Sequence, residues 1–359
     1  MLTVVGLQDN LNKAFKNKMP KDDLIKKIKE AALIGRGGAS YPVAQKWQAV
    51  KDYLKIKKRA YIIVNGAEGE PGVKKDSFIL KNFPEDVING VYLADKFLGS
   101  SRVSKIYFYL NHDYYKEYSK NIKKILEGKK FASLNKRIEF FIKPEKLFYI
   151  SGEETAILNL IEGKKAMPRL KPPYPVESGL NGSPTLINNI ETFYDVSLLS
   201  RNKYEEKRFY TLSGFLKYRG VFNLPAHLSI EEVLRQTNNY PTQAFFVQIG
   251  GEASGEVLNS KQLNLPLGGT AALMVYNLKT TNKAKLLEYW LRFYSEQSCG
   301  QCTICREGTY RLFELIRQKN YDKKLFNELL DVLEDSSFCA LGSSLPIPVK
   351  SYFENILQK

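Results

Sequence analysis

The spacing of apolar residues divides roughly the first two hundred residues into alternating helix and strand patterns. Residues 20–34 place apolar side chains three and four positions apart, as one face of a helix does. The same spacing predicts helices at residues 84–97 and 115–126. Three short apolar runs predict buried strands at residues 60–64, 105–110 and 138–142. Helices and strands in alternation are typical of a parallel α/β sheet.

The pattern changes after the proline-rich run at residues 171–175, whose sequence K-P-P-Y-P indicates an irregular connection. Between residues 209 and 278, short β-rich runs flank one helical stretch at residues 230–236, and glycines separate them. The β-rich runs are residues 209–212, 245–249 and 273–276. This arrangement predicts a small α+β module. From Lys283 onward the spacing is helical.

The chain of 359 residues has a formal net charge of +16, from 54 Lys and Arg against 38 Asp and Glu. The lysines are spread along the predicted helices and mixed with acids. This distribution favours a solvated surface for an acidic partner over nucleic-acid binding. No apolar run approaches the about 18 residues that a membrane span requires. The first residues lack a basic region followed by an apolar stretch, so we expect no secretory signal and a cytoplasmic protein.

All four cysteines lie in the last fifth of the chain, at Cys299, Cys302, Cys305 and Cys339. A structural disulfide set would be spread more widely, so the clustering indicates one site with four ligands. A tight C-x-x-C-x-x-C loop can supply three corners of a [4Fe–4S] cubane, and the remote cysteine can supply the fourth. The alternatives are inert core cysteines and structural zinc, although zinc sites built from four cysteines usually consist of two separated C-x-x-C pairs.

Two glycine-rich loops could let the backbone approach a ligand closely. The first comprises residues 35–40 and the second residues 65–72. The first loop departs from the G-x-G-x-x-G dinucleotide pattern at Ser40. Glu68 and Glu70 would repel a phosphate, so the second loop suits ligand hydroxyls or a ring better. Taken alone, either loop is better explained as a structural turn.

Two further segments place polar side chains beside a predicted helix. Residues 149–156 read Y-I-S-G-E-E-T-A and put Glu153 and Glu154 before the helix. The structural interpretation is that Ser151 caps this helix while the two acids favour its first turn. Residues 188–192 read N-N-I-E-T, which could hold a polar ligand or could simply begin a helix.

Taken together, these segments resemble the flavoprotein subunit of respiratory complex I. The homologous flavin subunits of NAD-coupled hydrogenases and formate dehydrogenases share the pattern. The resemblance runs from about residue 33 to about residue 353 and keeps six motifs in order. The motifs lie at residues 35–47, 61–76, 149–156, 168–175, 298–308 and 338–342. Six motifs in one order are more specific than any one of them.

The resemblance implies an α/β chain of three domains. A Rossmann-like domain for FMN and NADH is expected at residues 1–207, a β-grasp (ubiquitin-like) α+β domain at residues 208–280, and a helical bundle with a [4Fe–4S] cluster at residues 281–359. The implied reaction is hydride transfer from NADH to FMN, followed by transfer of single electrons to the cluster and to partner subunits of a complex I-like NADH dehydrogenase. The expected partners are a thioredoxin-like [2Fe–2S] subunit and a larger iron–sulfur subunit. They would attach the chain to the inner face of the membrane without direct insertion.

The resemblance also assigns site residues by position. The expected FMN contacts are Gly35, Gly37, Lys46, Asn65, Glu68, Tyr149, Gly152, Glu153, Glu154, Asn188, Asn189 and Thr192. The expected NADH contacts are Tyr41, Glu70, Tyr149, Glu154, Lys171 and Tyr174. Glu70 and Glu154 are the candidate catalytic side chains, and the four cysteines are the expected cluster ligands.

The chain departs from the family pattern at three positions. Ala67 replaces an aspartate near the flavin, Ser77 replaces an arginine, and Ala49 replaces an aromatic residue that stacks on the adenine. Two alternatives stay open. The chain could be the same module in an NAD-coupled hydrogenase or formate dehydrogenase. It could also be a non-catalytic scaffold that keeps the cluster but has lost dinucleotide binding.

Overall fold

Four parallel strands form the first sheet. The computed structural model describes residues 21–145 and 149–357. The strands are β1 (Ala60–Gly66), β2 (Val103–Leu110), β3 (Ile138–Ile142) and β4 (Thr185–Asn189). Their spatial order is β3-β2-β1-β4, so the chain moves outward from β1 to β3 and then returns to the other side of β1. β1 and β4 therefore flank the switch point at which ligands bind in open α/β sheets.

Both faces of this sheet are buried, which is why its strands read as nearly continuous apolar runs. Ile62 and Val64 of β1 face one hydrophobic core, while Ile63 between them faces a second, smaller core that contains Ile157. The helices of this part are α1 (Lys21–Glu30), α2 (Val43–Tyr53), α3 (Lys75–Asn82), α4 (Pro84–Leu98), α5 (His112–Leu126), α6 (Ala132–Asn135), α7 (Glu154–Ile161), α8 (Pro175–Ser178) and α9 (Ile190–Ser200).

A second sheet of five strands follows, with helix α10 (Ile230–Gln236) packed against it. The strands are β5 (Lys207–Gly214), β6 (Gly220–Pro225), β7 (Phe245–Ile249), β8 (Val257–Asn259) and β9 (Ala272–Asn277). Their order is β6-β5-β9-β7-β8, with β5 and β9 parallel and the other neighbours antiparallel. Ser229 and Glu232 form a capping box that starts α10. This order with its single helix is the expected β-grasp topology.

The C-terminal part is a helical bundle with a core of its own. Its helices are α11 (Lys283–Gln297), α12 (Thr303–Ile316), α13 (Lys323–Ser336), α14 (Ala340–Ser344) and α15 (Pro346–Tyr352), followed by a π-helical turn at Phe353–Leu357. Trp290 packs edge to face on Tyr352 in this core, with ring centroids 5.1 Å apart. None of the helices that the structure describes has both the length and the apolar character needed to cross a bilayer.

The expected fold class is confirmed, and the differences from the sequence prediction are local. α1 ends at Glu30 and does not continue to residue 34, because Ala32 adopts a positive φ of 46°. The apolar pattern does not predict α2, α3, α6, α8, β4, β6 or β8. β6 is an edge strand of half-buried and exposed residues, and β8 has only three residues, so neither needs an apolar run.

Candidate functional site

Three asparagines meet at the carboxyl edge of the first sheet, at the switch point between β1 and β4. Asn65 and Asn189 are direct neighbours across these strands, and the Asn189 amide donates to the Asn65 carbonyl at 3.2 Å. The Asn65 amide donates to the Gly152 carbonyl at 3.1 Å, which ties the segment before α7 to this edge. Trp47 of α2 donates to the Asn188 side chain at 3.0 Å. The edge is therefore a fixed array of amide groups.

A buried ion network lies next to this array. Lys75 donates to Asp76 at 2.6 Å and to the Asn189 side-chain oxygen at 2.9 Å, and it lies 3.2 Å from Glu191. Asp76 accepts in turn from the Asn189 amide at 2.7 Å. Burial alone would lower the pKa of Lys75, but the charges of Asp76 and Glu191 raise it above its ordinary value. Because a lysine only donates and a carboxylate only accepts, the network fixes the orientation of the Asn189 amide.

Arg36 fastens the first glycine-rich loop to α9. Its backbone N–H donates to the Thr192 hydroxyl at 3.0 Å, and its guanidinium pairs with Asp195 at 3.0 Å. Both charged side chains are only 5% exposed, so this pair holds the loop without competition from water. The loop also brings Gly37 against Asn189, where an added Cβ would lie 3.4 Å from the asparagine Cβ.

Lys46, Glu154 and Lys171 form a charged cluster at the same edge. Lys46 donates to Glu154 and to the Ile187 carbonyl, both at 3.1 Å. Lys171 donates to Glu154 at 3.2 Å and to Glu153 at 2.9 Å. Burial alone would raise the pKa of Glu154, but the two ammonium groups lower it below its ordinary value. The ionised Glu154 therefore lies between two lysines, and Glu153 accepts from one of them.

Glu153 caps helix α7, which corrects the interpretation that Ser151 does so. One Glu153 carboxylate oxygen accepts from the backbone N–H groups of Thr155 and Ala156, at 2.8 and 2.9 Å. Ser151 is buried in the 3₁₀ turn Ile150–Gly152 and precedes the first free N–H groups of the helix by too many residues. The longer acidic side chain reaches those groups from the cap position.

Tyr41 and Tyr174 are 50% and 53% exposed. Tyr41 lies five residues before Lys46, and Tyr174 lies three residues after Lys171. Because both lysines bond to Glu154, the two aromatic side chains belong to segments that meet at this acid. Exposed rings in such a position can stack on a planar ligand.

The Glu68 carboxylate bonds to groups of α3 and α5. It accepts from the backbone N–H of Asp76 at 2.9 Å and from the Tyr114 hydroxyl. Burial and the neighbouring Asp76 charge raise the pKa of Glu68 to about 7. Lys143 is a nearby cation that donates to the Ala67 carbonyl at 2.9 Å, and burial lowers its pKa to about 8.

The Glu70 carboxylate is enclosed by a loop between β7 and β8. It accepts from the backbone N–H groups of Ala253 and Ser254 at 3.0 Å and from the Ser254 hydroxyl at 2.8 Å. A Cβ on Gly251, whose φ is 141°, would lie 2.2 Å from the Glu70 Cγ, so the loop needs glycine there. Burial raises the pKa of Glu70, and these hydrogen bonds oppose the shift. The two candidate catalytic acids therefore have separate partners. Glu70 bonds to the loop between β7 and β8, whereas Glu154 bonds to Lys46 and Lys171.

Tyr149 connects the three parts of the molecule. Its backbone N–H donates to Gln297 of α11 at 3.1 Å, and its ring packs edge to face on Phe293 at 5.3 Å. Its hydroxyl bonds to Glu70 and Ser254. The β-grasp loop, the bundle and the segment before α7 therefore meet at this tyrosine.

The four cysteines line one cavity in the bundle, together with Ile150. The empty volume is about 260 Å³, open solvent included. Cys299 lies in the loop after α11, and Cys305 lies in the first turn of α12. Cys302 and Cys339 occupy the N-cap positions of α12 and α14. A helix N-terminus favours negative charge, so these two positions suit thiolate ligands.

The four thiols line a common cavity, as the ligands of a cluster do. Within the described residues, no group of three or more His, Cys, Asp and Glu side chains is placed to hold one metal ion. In a cubane with four cysteines each thiolate binds a different iron, so the ligands surround a cavity. Structural zinc instead needs all four sulfurs at about 2.3 Å from one ion. Four thiols around one cavity fit the ligand set of a [4Fe–4S] cluster.

The sequence motifs assign no role to the residues that support the site, namely Arg36, Trp47, Lys75, Asp76, Glu191 and Asp195. One pattern could have pointed to them. Glu191 and Asp195 lie four residues apart in α9, a spacing that places both acids on one helix face. An arginine inside a glycine-rich loop is the kind of partner such a face requires.

Two regions of the chain match models of known protein families. Residues 28–198 match the Nuo51 FMN-binding domain, and residues 285–357 match the NADH-ubiquinone oxidoreductase-F iron–sulfur binding region. The F subunit of the NADH-quinone oxidoreductase of Streptomyces coelicolor is 31% identical over 93% of this chain and 81% of its own length. The protein of the same name from Buchnera aphidicola subsp. Schizaphis graminum is 33% identical over 95% and 84%. The one from Aquifex aeolicus is 30% identical over 90% and 82%.

Two solved structures of an NAD+-reducing [NiFe]-hydrogenase are also similar. Their H2-reduced and air-oxidised states match with TM-scores of 0.85 and 0.87 at 26% identity. The matches cover 94% and 96% of this chain. This chain spans only 62% and 64% of the matched hydrogenase chains.

Proposed function

Since the chain belongs to the family of NADH-quinone oxidoreductase F subunits, we propose that its switch-point edge and its cysteine cavity are the two redox sites of this family. The protein binds FMN and a [4Fe–4S] cluster. It is the NADH-oxidising subunit through which electrons enter a larger complex. The observation that carries the assignment of residues is the meeting of Asn65, Asn188 and Asn189 with the Lys46–Glu154–Lys171 cluster.

In this proposal FMN lies at the carboxyl ends of β1 and β4. Asn189 is held by bonds within the protein, while the remaining amide hydrogens of Asn65 and Asn188 can donate to hydroxyl and carbonyl groups. The first glycine-rich loop lets backbone N–H groups approach the ligand. The donor set fits FMN because amides, hydroxyls and an ammonium converge there. The residues assigned to FMN are Gly35, Gly37, Lys46, Asn65, Glu68, Tyr149, Gly152, Glu153, Glu154, Asn188, Asn189 and Thr192.

NADH is assigned to the exposed side of the same edge. Tyr41 and Tyr174 supply aromatic surface for the adenine, and Glu154 with Lys171 supplies hydrogen bonds for the ribose. Glu70 is assigned near the nicotinamide. The β-grasp loop that surrounds its carboxylate fixes it on the second glycine-rich loop.

Bound FMN would supply hydride acceptance and single-electron transfer, so no side-chain nucleophile is required. The contribution of this chain is orientation and electrostatics. The Lys75–Asp76 pair fixes the Asn189 amide, and the Arg36–Asp195 pair fixes the first loop. Glu154 keeps its charge because two lysines stabilise it.

The cluster is assigned to Cys299, Cys302, Cys305 and Cys339. We further propose a thioredoxin-like [2Fe–2S] subunit and a larger iron–sulfur subunit as partners, which would place the complex at the inner face of the membrane. The division into domains at residues 1–207, 208–280 and 281–359 belongs to the same proposal. Limited proteolysis with mass spectrometry would test those boundaries.

The deciding experiment uses the full chain, purified anaerobically. It should release one non-covalent flavin that is FMN and contain about four irons with acid-labile sulfide. NADH should bleach the flavin absorption. FAD in place of FMN, stoichiometric zinc without sulfide, or a flavin that NADH does not reduce would contradict the proposal. The last result would favour the non-catalytic scaffold.

The likeness to the NAD+-reducing hydrogenase favours one alternative function. In that case the same module would exchange electrons between NAD+ and a hydrogenase partner. The complex purified from its native cells would then reduce NAD+ with H2. A complex that reduces quinone with NADH and is inert to H2 would exclude this alternative.

A further inference from the structure

We propose that the hydroxyl of Ser298 donates a hydrogen bond to the cluster ligand Cys305 and raises the midpoint potential of the cluster, with Ser337 as a second donor. This inference rests on the cluster site proposed above. It concerns how readily the cluster accepts an electron, which the ligand assignment alone does not determine.

Ser298 lies at the C-cap of α11, where the chain turns into the cysteine loop. Its hydroxyl oxygen is 3.5 Å from the Cys305 Sγ. The same oxygen accepts from the Gly300 backbone N–H at 3.4 Å. A thiolate that binds iron carries no proton, so the serine must be the donor. The Gly300 contact occupies the acceptor side of the hydroxyl and leaves its proton for the sulfur.

A second serine hydroxyl, that of Ser337, lies near Cys305. The Ser337 hydroxyl oxygen is buried and has no hydrogen-bond partner in the part of the chain that the structure describes. A Cβ on Gly342 would lie 2.3 Å from this oxygen and 3.1 Å from the Cys305 Cβ, so Ser337 and Cys305 pack against the same glycine. Buried hydroxyls need an acceptor, and the anionic sulfurs of a cluster in this cavity can provide one.

Reduction adds one negative charge to the cluster. A donor directed at a ligand sulfur stabilises that charge more in the reduced state than in the oxidised state, so it raises the potential. Removing the donor should therefore make the cluster harder to reduce. The number of irons should not change, because the four thiolates remain.

The test is an EPR-monitored redox titration of the anaerobically purified full chain. At the wild-type midpoint, Ser298→Ala should show a reduced-to-oxidised ratio about threefold lower, which is about 28 mV at 59 mV per tenfold change. Ser337→Ala should shift the potential in the same direction. Ser298→Thr keeps the hydroxyl and should titrate like the wild type. Ser344→Ala is the matched control, because the hydroxyl of this bundle serine bonds to Tyr294 and to the Leu341 carbonyl.

An unchanged potential in Ser298→Ala with four irons present would overturn the inference. If that variant does not fold, resonance Raman spectra of the wild type in H2O and D2O decide the question. Hydrogen-bonded ligand sulfurs shift the Fe–S stretching bands on deuteration, and insensitive bands would overturn it as well. A wild-type protein without four irons and labile sulfide would instead refute the cluster assignment itself.

Discussion

Lys75 shows how one residue organises the flavin edge. Its ammonium is buried, yet Asp76, Asn189 and Glu191 surround it closely enough to keep it charged. Removing a partner from such a group is costly because a charge is then buried alone. The same rule applies to Glu154 between its two lysines. At the residue scale, charge pairing therefore decides which side chains can face a ligand.

Glu154→Gln should raise NADPH turnover relative to NADH turnover by roughly tenfold, or about 1.4 kcal/mol. A carboxylate beside the adenosine ribose repels a 2′-phosphate. Lys46 and Lys171 already offset part of this repulsion, so the effect should be near tenfold and not larger. Without this acid, Lys46 and Lys171 face the phosphate, and only Glu153 is left to pair with Lys171. Steady-state kcat/KM values for both nucleotides measure the ratio.

Glu162→Gln is the matched control for this substitution. Glu162 also lies between two cations, Lys164 and Arg169, but at the far end of α7. Its replacement should leave the nucleotide ratio unchanged. An equal change in both variants, or no change in Glu154→Gln, would show that Glu154 does not face the ribose.

The raised pKa of Glu68 predicts a pH-dependent stability. Its ordinary value is 4.5, and burial raises it to about 7. Between these values the folded state binds the proton more tightly than the unfolded state, so rising pH destabilises the wild type. Glu68→Gln has no carboxyl group at this position and therefore does not bind this proton. Its free energy of unfolding, relative to the wild type, should therefore increase by about 1–3 kcal/mol between pH 5 and pH 8.

Denaturant unfolding at the two pH values measures this difference. Glu139→Gln serves as the control, because this acid on β3 is largely exposed and pairs with Lys105 at the surface. Its difference from the wild type should stay nearly constant with pH. A constant difference for Glu68→Gln too would mean that Glu68 is ionised in the folded protein throughout this range.

At the scale of elements, the sequence predicts what depends on local pattern. β3 has the predicted bounds, and the helices near residues 84–97 and 115–126 extend by only a few residues. What the sequence does not predict depends on distant partners. The loop around Glu70 comes from residues more than 180 positions later in the chain. No local periodicity encodes that contact.

Gly90→Ala tests the packing of α4 on α9. Alanine normally favours a helix over glycine by about 1 kcal/mol. Here the added Cβ would lie 1.9 Å from the Phe193 carbonyl oxygen and 2.6 Å from its carbonyl carbon. The helices would have to separate, so the protein should lose about 1–3 kcal/mol of stability.

Gly268→Ala is the control, because a Cβ there meets no atom of the described residues within 4 Å. Its stability should change by no more than about 0.5 kcal/mol. Thermal and denaturant unfolding compare the two variants. A stabilised Gly90→Ala would show that α4 and α9 can move apart without cost. Since α9 carries Thr192 and Asp195, the variant should also retain FMN less well.

At the scale of the whole molecule, the family resemblance identifies the candidate site residues but not the groups to which their side chains bond. Glu68, Glu70 and Glu154 lie close in the expected site. In the structure their bonds go to α5, to the β-grasp loop and to two lysines, respectively. Glu68 and Glu154 bond to residues of the region that contains the first sheet, whereas Glu70 bonds to a loop of the second sheet, which has its own core. A sequence motif identifies a site residue, whereas tertiary packing determines the hydrogen-bond partners of its side chain.

Cys339→Ser should separate the two redox sites. Cys339 belongs with the core of the bundle, while the sheet that carries Asn65 and Asn189 packs on a different core. Loss of one thiolate removes a cluster ligand, so iron and labile sulfide should fall sharply. The sheet edge keeps every contact described above. FMN content should therefore stay near one per chain, and NADH should still bleach the flavin.

Electron transfer beyond the flavin should fail in this variant, so reduction of an acceptor that takes electrons from the cluster should be lost. Ser343→Ala is a suitable control, because this serine bonds only weakly to the Cys339 carbonyl, at 3.5 Å. It should keep both cofactors. Ile150 lines the cysteine cavity and lies two residues before Gly152, which bonds to Asn65. If Cys339→Ser loses FMN together with iron, the segment from Ile150 to Gly152 couples the cluster site to the flavin site. The two hydrophobic cores then do not behave independently.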